Sequence, residues 1–219
     1  MRTADGSHTI FNSEIGESYH SKHGAFQESI HVFLNNGLKH FLLTTPSSHV
    51  AILEVGLGTG LNFLLSANYC LENKIKLDYI GIEAFPLNST LISQTGYDAY
   101  VSPCIWQSYI ENYSQSLLKK IALNNYCTLT TAQVSLFDFK SDQRFDIIYF
   151  DAFAAVHQPE MWSDTALQHA SQFLNPGGIF VTYAITGNLK RSFKSFGFDI
   201  EKIPGALGKR EMFRATRFQ

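Results

Sequence analysis

The sequence predicts an α/β fold: a seven-stranded, mostly parallel sheet covered by helices on both faces, with one antiparallel strand near the end. Three observations predict it. From residue 50 onward, short apolar runs alternate with helical stretches, the pattern of parallel strands joined by crossover helices. The first of these runs is apolar on both faces and opens into a glycine-rich turn, as a central strand does at a ligand-binding edge. The last two runs are joined by a short turn with no helix between them, so one of them runs antiparallel.

Val50–Gly56 is the first strand, β-branched and apolar throughout. Leu61–Glu72 follows as a helix. Leu77–Glu83 is a second strand ending in an acid, and Cys127–Val134, rich in Thr and Val, is a third. Phe145–Asp151 is a fourth strand, again ending in an acid. Glu160–Leu174 reads as a helix stopped by Asn175-Pro176-Gly177-Gly178. Gly178–Ala184 is a fifth strand and Leu189–Phe196 a helix ended by Gly197. Phe198–Ile203 and Arg210–Thr216 make the closing hairpin. Residues 1–49 form an N-terminal extension packed on a core of residues 50–219. An insertion at about 86–125, longer than an ordinary connection, reads as a small helical elaboration. It carries Tyr97, Tyr100, Trp106, Tyr109 and Tyr113, which either wall a substrate pocket or pack the insertion, and packing suits most of them better.

The turn after the first strand carries the chemistry. Gly56, Gly58 and Gly60 let the backbone bend sharply and approach a ligand without a Cβ in the way. The following helix start offers free N–H groups to anionic ligand groups. A dinucleotide fingerprint would need its third glycine at position 61, which is Leu61. The pattern present, E-x-G-x-G-x-G from Glu54, is the form typical of S-adenosylmethionine sites, with Glu54 reaching the methionine end.

Composition narrows the class. With 45% hydrophobic and 16% charged residues in 219, the chain is globular and of single-domain size. No apolar stretch approaches the ~20 residues of a membrane span, and the first residues lack the apolar core of a signal peptide. Cys70, Cys104 and Cys127 are odd in number and far apart, which suits a reduced cytoplasmic chain without a metal site. His20 and His23 lie close together but have no second pair to complete a metal site. The net charge of −2 is uneven: from Thr186 onward eight basic residues face three acidic ones, a net of +5 that leaves −7 for the rest. A basic end on an acidic body suits a polyanionic partner, although ordinary surface lysines give the same count.

Ligands in open parallel sheets bind beyond the carboxyl ends of the strands, where Glu54, Glu83 and Asp151 stand. Glu83 follows Gly60 by 23 residues, close to the spacing at which an acid after the second strand takes both ribose hydroxyls. Its rival role is a helix cap ahead of the segment after Pro86. Asp138, before the fourth strand, is placed for adenine, with Ser135 competing. Asp151 lies where the acceptor docks, and an acid there steers an amine's lone pair toward the departing methyl. A carboxylate of ordinary pKa is a weak base toward an alkylammonium, so orientation outweighs proton removal on this reading.

Four stretches resemble the methyltransferase domain of the tRNA 5-methylaminomethyl-2-thiouridine biosynthesis family, in its stand-alone form. They are Tyr19–Glu28 with Val32-Phe33-Leu34; Glu54–Phe63; Phe150-Asp151-Ala152-Phe153-Ala154 through Pro159-Glu160-Met161-Trp162; and Thr182-Tyr183, Gly187 and Lys190-Arg191 through Gly197-Phe198 to Pro204-Gly205 and Gly208–Met212. Ala155 departs from the family, which usually has proline there. The resemblance implies a Rossmann-like fold and methyl transfer from S-adenosylmethionine to the exocyclic amine of 5-aminomethyl-2-thiouridine, at the wobble position of the tRNA anticodon loop. It implies Asp151 as the catalytic or orienting acid. Glu54, Gly56, Gly58, Gly60, Asn62, Glu83 and Asp138 are its implied cofactor contacts, and Tyr19, Lys209 and Arg210 its implied acceptor contacts. It also implies that a separate enzyme supplies the aminomethyl precursor, since the chain shows no second nucleotide-binding fingerprint for an oxidase domain. Lys190, Arg191, Lys209 and Arg210 are expected on the cofactor side, facing phosphates.

Three rivals remain at this level. An aminopropyltransferase of the spermidine-synthase kind shares the glycine loop but favours a second acid near Asp151, where Ala152, Phe153, Ala154 and Ala155 stand. A small-molecule N-methyltransferase leaves the basic end unexplained. A binding module with a decayed site conflicts with the intact acids and glycines.

Overall fold

The computed structural model describes residues 1–218. A two-strand hairpin, β1 (Phe11–Asn12) and β2 (Glu17–Ser18), opens the chain. One continuous helix follows over 25–44: α1 (Ala25–Ser29), a π-helical segment Ile30–Lys39, and α2 (His40–Thr44). Its wider turns bring Gly37 against the sheet, where a Cβ would stand 2.7 Å from the Tyr149 ring. Phe33 lies on the same ring at 5.1 Å.

The core then alternates as expected. β3 (His49–Val55) leads through the glycine loop to α3 (Leu61–Glu72), and β4 (Lys76–Ile82) precedes the insertion. The insertion holds α4 (Ser89–Ser93), a short turn at Tyr97–Ala99, and α5 (Pro103–Ser116). β5 (Ile121–Asn124) and β6 (Cys127–Ala132) follow, then β7 (Phe145–Phe150), α6 (Asp164–Ser171) and β8 (Leu174–Thr182). α7 (Gly187–Ser195), β9 (Phe198–Pro204) and β10 (Glu211–Arg217) close the chain.

The sheet has the order β5-β6-β4-β3-β7-β8-β10-β9. Seven of these strands form the expected arrangement, with β10 antiparallel to both neighbours. The eighth, β5, comes from the insertion and pairs antiparallel with β6 at the edge. Its four residues carry too little alternation to register as a strand in the sequence. Two boundaries also moved. The helix expected over Glu160–Leu174 is confined to Asp164–Ser171, because Ser163 caps it through the Ala166 N–H and Pro159–Trp162 forms a separate tight turn. Asn175-Pro176-Gly177-Gly178 does not precede a strand but bulges within β8, whose pairing shifts between Phe145↔Leu174 and Ile147↔Ile179.

The centre of the sheet is buried on both faces, so β3 beyond its exposed His49, and β7, are apolar or aromatic apart from one acid each. On one face Tyr79, Tyr149, Phe63, Tyr109 and Tyr113 pack beneath the N-terminal helix and the insertion. The insertion's aromatics therefore serve packing: Tyr97, Tyr109 and Tyr113 are essentially inaccessible, and Tyr100 and Trp106 lie against the same cluster. Phe150, Phe180, Phe193 and Phe213 fill the other face. At the sheet's far edge Arg214, 6% exposed, donates to both Glu201 oxygens at 2.9 and 2.8 Å and to the Asn36 carbonyl. That fork ties β10 to β9 and to the N-terminal helix. Among the described residues no helix is long and apolar enough to cross a membrane.

Candidate active site

A cavity of about 670 Å³ opens above the carboxyl ends of β3, β4 and β7, the edge where open sheets bind ligands. Its floor is the glycine loop. Gly56 has φ 87°, and a Cβ there would stand 2.6 Å from the Asp151 carbonyl oxygen, so the end of β3 can close on the end of β7 only with glycine. Gly58 has φ 52°, and its Cβ would meet the Tyr19 ring at 2.7 Å. Gly60, at φ 79°, turns the chain into α3.

Glu83 holds this loop and faces the cavity. One carboxylate oxygen accepts the Gly58 N–H at 2.9 Å and the other the Phe85 N–H at 3.0 Å. Each oxygen keeps a second lone pair, which is what a vicinal diol requires. Burial raises its pKa, and the two N–H bonds work against that rise. The rival helix-cap role belongs instead to Asn88, whose side chain accepts from the Leu91 N–H. Glycines that a Cβ would obstruct and a two-oxygen acceptor beside them fit the ribose and methionine portions of S-adenosylmethionine.

Glu54 stands elsewhere than expected. It is fully buried behind the loop, does not line the cavity, and accepts from Tyr79 Oη and Asn62 Nδ2, each at 2.8 Å. The same Asn62 nitrogen donates to Asp151 Oδ2 at 2.8 Å. Glu54 therefore reaches the cavity only through Asn62, as the anchor of the amide that orients Asp151. Its pKa is raised well above the ordinary range by burial and by Asp151. Asp138 is also displaced. It is exposed, takes the Ser135 hydroxyl at 2.7 Å, and leaves Val134, Ser135, Leu136 and Phe137 to line that end of the cavity.

Asp151 lines the cavity directly after β7 terminates. Burial is the main force pushing its pKa up to about 8; Glu28 and Glu17 add repulsion, while Asn62 and Lys209 oppose it. The loop that follows is fixed at three points. Tyr183 Oη donates to the Ala152 carbonyl at 2.9 Å, Trp162 Nε1 to the Phe153 carbonyl at 2.8 Å, and Glu17 accepts the Ala154 N–H at 2.8 Å. Tyr19 and Phe153 meet across the cavity wall, 5.2 Å between ring centres.

Lys209 does not face outward. Its ammonium pairs with Glu28 at 2.6 Å and sits 3.7 Å from the centre of the Tyr183 ring, inside the cavity lining. Arg210 is exposed, as are Arg191 and, in part, Lys190 on the first turns of α7. The sequence assigns no role to Glu17, Glu28 or Tyr183; the signal for each is its place in or beside a resembling stretch, Tyr19–Glu28 for the first two and Thr182-Tyr183 for the third. Among the described residues no group of three or more His, Cys, Asp or Glu side chains is placed to hold a metal ion.

Residues 103–218 match the family model described as S-adenosyl-L-methionine-dependent methyltransferase. The chain is similar to two curated proteins named tRNA 5-methylaminomethyl-2-thiouridine biosynthesis bifunctional protein MnmC. It is 30% identical to that of Magnetococcus marinus over 219 residues, covering 95% of this chain and 32% of the relative. It is 28% identical to that of Chromobacterium violaceum over 217 residues, covering 90% and 32%. The chain thus spans about a third of the length of these relatives. Among solved structures, MNMC2 from Aquifex aeolicus superposes with a TM-score of 0.75 at 22% identity, covering 98% of this chain and 68% of that one. A SAM-bound amino pentose methyltransferase from Micromonospora echinaspora superposes with a TM-score of 0.51 at 13% identity, covering 89% and 92%. At these identities the structural likeness is one of fold.

Proposed function

Because this chain belongs to the family of S-adenosyl-L-methionine-dependent methyltransferases, we propose that it methylates the exocyclic amine of 5-aminomethyl-2-thiouridine at the wobble position of tRNA. The observation that carries this reading is Asp151, a carboxylate at the acceptor end of the cavity whose pKa is pushed up to about 8. The name shared by the similar curated proteins supplies the nucleoside.

Bound S-adenosylmethionine supplies an electrophilic methyl group on a sulfonium sulfur. An amine attacks such a carbon only through a free lone pair, so the ammonium form must first lose a proton. An ordinary carboxylate lies about six pK units below an alkylammonium; at about 8, Asp151 lies about two below. Proton removal, and not orientation alone, then becomes accessible to it. Asn62 fixes the direction of the carboxylate, and the three tethers of the 152–154 loop fix its height. Tyr19 and Phe153 offer apolar faces to the base, and the Glu28–Lys209 pair closes the cavity from the side. Glu83 takes the ribose hydroxyls.

The direct test is nucleoside mass spectrometry of tRNA bearing 5-aminomethyl-2-thiouridine after incubation with the protein and S-adenosylmethionine. A gain of one methyl on that nucleoside is expected. Transfer to free small amines but not to tRNA would end the tRNA reading, and turnover of the decarboxylated cofactor would favour aminopropyl transfer.

The outward cations give a second expectation. Exposed Arg210 and Arg191 are the cations we assign to tRNA phosphates, and each phosphate contact adds about 0.7 to the salt slope on single-stranded nucleic acid. Replacing both by Ala should weaken tRNA binding and flatten its dependence on salt, with cofactor affinity spared. Lys209→Ala should behave differently, lowering the melting temperature by leaving Glu28 buried without its partner. Filter binding across a salt series separates the two. An unchanged slope in the double variant would move the tRNA surface elsewhere.

A further inference from the structure

We propose that His20 is a cofactor-binding residue whose unprotonated Nδ1 accepts a hydrogen bond from the α-ammonium of S-adenosylmethionine, and that a buried relay through Thr59 and Tyr97 sets this tautomer. The inference rests on the cavity holding the methyl donor, and goes beyond that reading by assigning the half of the donor that His20 grips.

The relay is a matter of counting protons. Tyr97 Oη lies 3.2 Å from the His8 carbonyl, which can only accept, so the single Tyr97 proton is spent there. Tyr97 Oη also lies 3.1 Å from Thr59 Oγ1, and with its own proton committed it must accept from Thr59. The single Thr59 proton is then spent as well. Thr59 Oγ1 stands 2.8 Å from His20 Nε2 and is left only as an acceptor, so Nε2 carries the ring proton. Nδ1 is the lone-pair nitrogen, and no partner is found for it among the described residues. Thr59 and Tyr97 are inaccessible to solvent, so water does not reset the chain. Burial also drives the His20 pKa down to about 4, which keeps the ring neutral.

His20 lines the cavity, and Thr59 belongs to the glycine loop on its floor. An acceptor there repels a carboxylate and suits a donor. The methionine half of S-adenosylmethionine carries one such donor, its ammonium. The adenine amine is a second donor on the same molecule, so the test must separate the two halves.

Titration calorimetry with S-adenosylhomocysteine and with 5′-methylthioadenosine, which lacks the amino-acid part, does so. His20→Ala should weaken S-adenosylhomocysteine at least about tenfold, the scale of one hydrogen bond to a charged group, and leave 5′-methylthioadenosine unchanged. Tyr97→Phe removes a hydroxyl that does not line the cavity, yet it frees the Thr59 proton to turn toward Nε2. It should move the ring proton to Nδ1 and weaken S-adenosylhomocysteine alone. Nitrogen-15 NMR of the His20 ring should report the Nε2–H form in the wild type and the Nδ1–H form in Tyr97→Phe. Equal losses for both ligands, no loss for S-adenosylhomocysteine, or an Nδ1–H ring in the wild type would each overturn the assignment. A wild-type protein that binds neither ligand overturns the cofactor reading with it.

Discussion

Asp151→Asn should cost roughly 10²–10⁴ in the rate of methyl transfer, the scale of a positioned general base, while S-adenosylmethionine affinity stays within a few-fold. The two effects separate because Asp151 ends β7 and is held by Asn62, whereas Glu83 follows β4 and is held by the Gly58 N–H. Asparagine keeps an oxygen for the Asn62 amide but cannot take a proton. Single-turnover transfer to tRNA bearing the free amine is the measurement, since it isolates the chemical step from product release. A loss below about threefold would make Asp151 a structural cap of β7.

The same carboxylate sets two pH dependences with opposite benefit. It acts when ionised, so kcat/KM for the wild type should climb with pH and level off near 8, and the Asn variant should lose that climb. A bound sulfonium favours the ionised form, so the profile of kcat should level off at lower pH than that of kcat/KM. Stability runs the other way. Between the unfolded value near 3.9 and about 8, the folded protein holds a proton that the unfolded chain has lost. The stability carried by that proton is complete below the unfolded value and is gone once pH passes the folded one. Asp151→Asn should therefore melt higher than the wild type at pH 9, by a few degrees, and match it near pH 4. Glu54, with its pKa raised in the same direction, leaves a residual slope in the variant.

The parallel core was legible because β3 and β7 are buried on both faces, β4 alternates buried with half-buried residues, and all three runs end in acids at one edge. The glycine loop was legible because each glycine answers a local backbone demand. What escaped was the part of the site made by distant chain. Glu17 reaches Ala154 across 137 residues, and Glu28 reaches Lys209 across 181. No local pattern encodes such contacts. Along the chain Asp151 is followed by no second acid from Ala152 to Ala155, but the fold brings Glu17 and Glu28 to the same cavity from the N-terminal extension. Each is already engaged: Glu17 by the Ala154 N–H, which holds the acceptor loop, and Glu28 by Lys209 and the Ser21 N–H, which hold the cavity's side. Glu54 was misplaced for a related reason. Motif spacing puts it at the end of a strand, but only packing decides which face its side chain takes, and Tyr79 with Asn62 draws it inward.

Glu83→Ala should weaken S-adenosylmethionine by at least about tenfold and leave Asp151 chemistry intact at saturating cofactor. On the proposed ribose role, two charge-assisted bonds to hydroxyls are lost, each worth roughly 1.5–3 kcal/mol. The Gly58 and Phe85 N–H groups lose their acceptor as well, so the loop itself loosens and the measured loss includes that cost. Glu83→Gln separates the two contributions. The amide keeps one oxygen for a backbone N–H but presents an NH₂ to the other, and a hydroxyl pair then meets one acceptor in place of two. If Glu83 binds the diol, Gln should fall nearer to Ala than to the wild type for S-adenosylhomocysteine, and a 2′,3′-dideoxy analogue should lose only the smaller part that comes from the loosened loop. If the carboxylate only braces the glycine loop, the analogue will lose as much affinity as the parent ligand. Calorimetry on the three proteins with the two ligands decides it, and an Ala variant that is correctly folded and binds S-adenosylhomocysteine normally would remove Glu83 from the cofactor site.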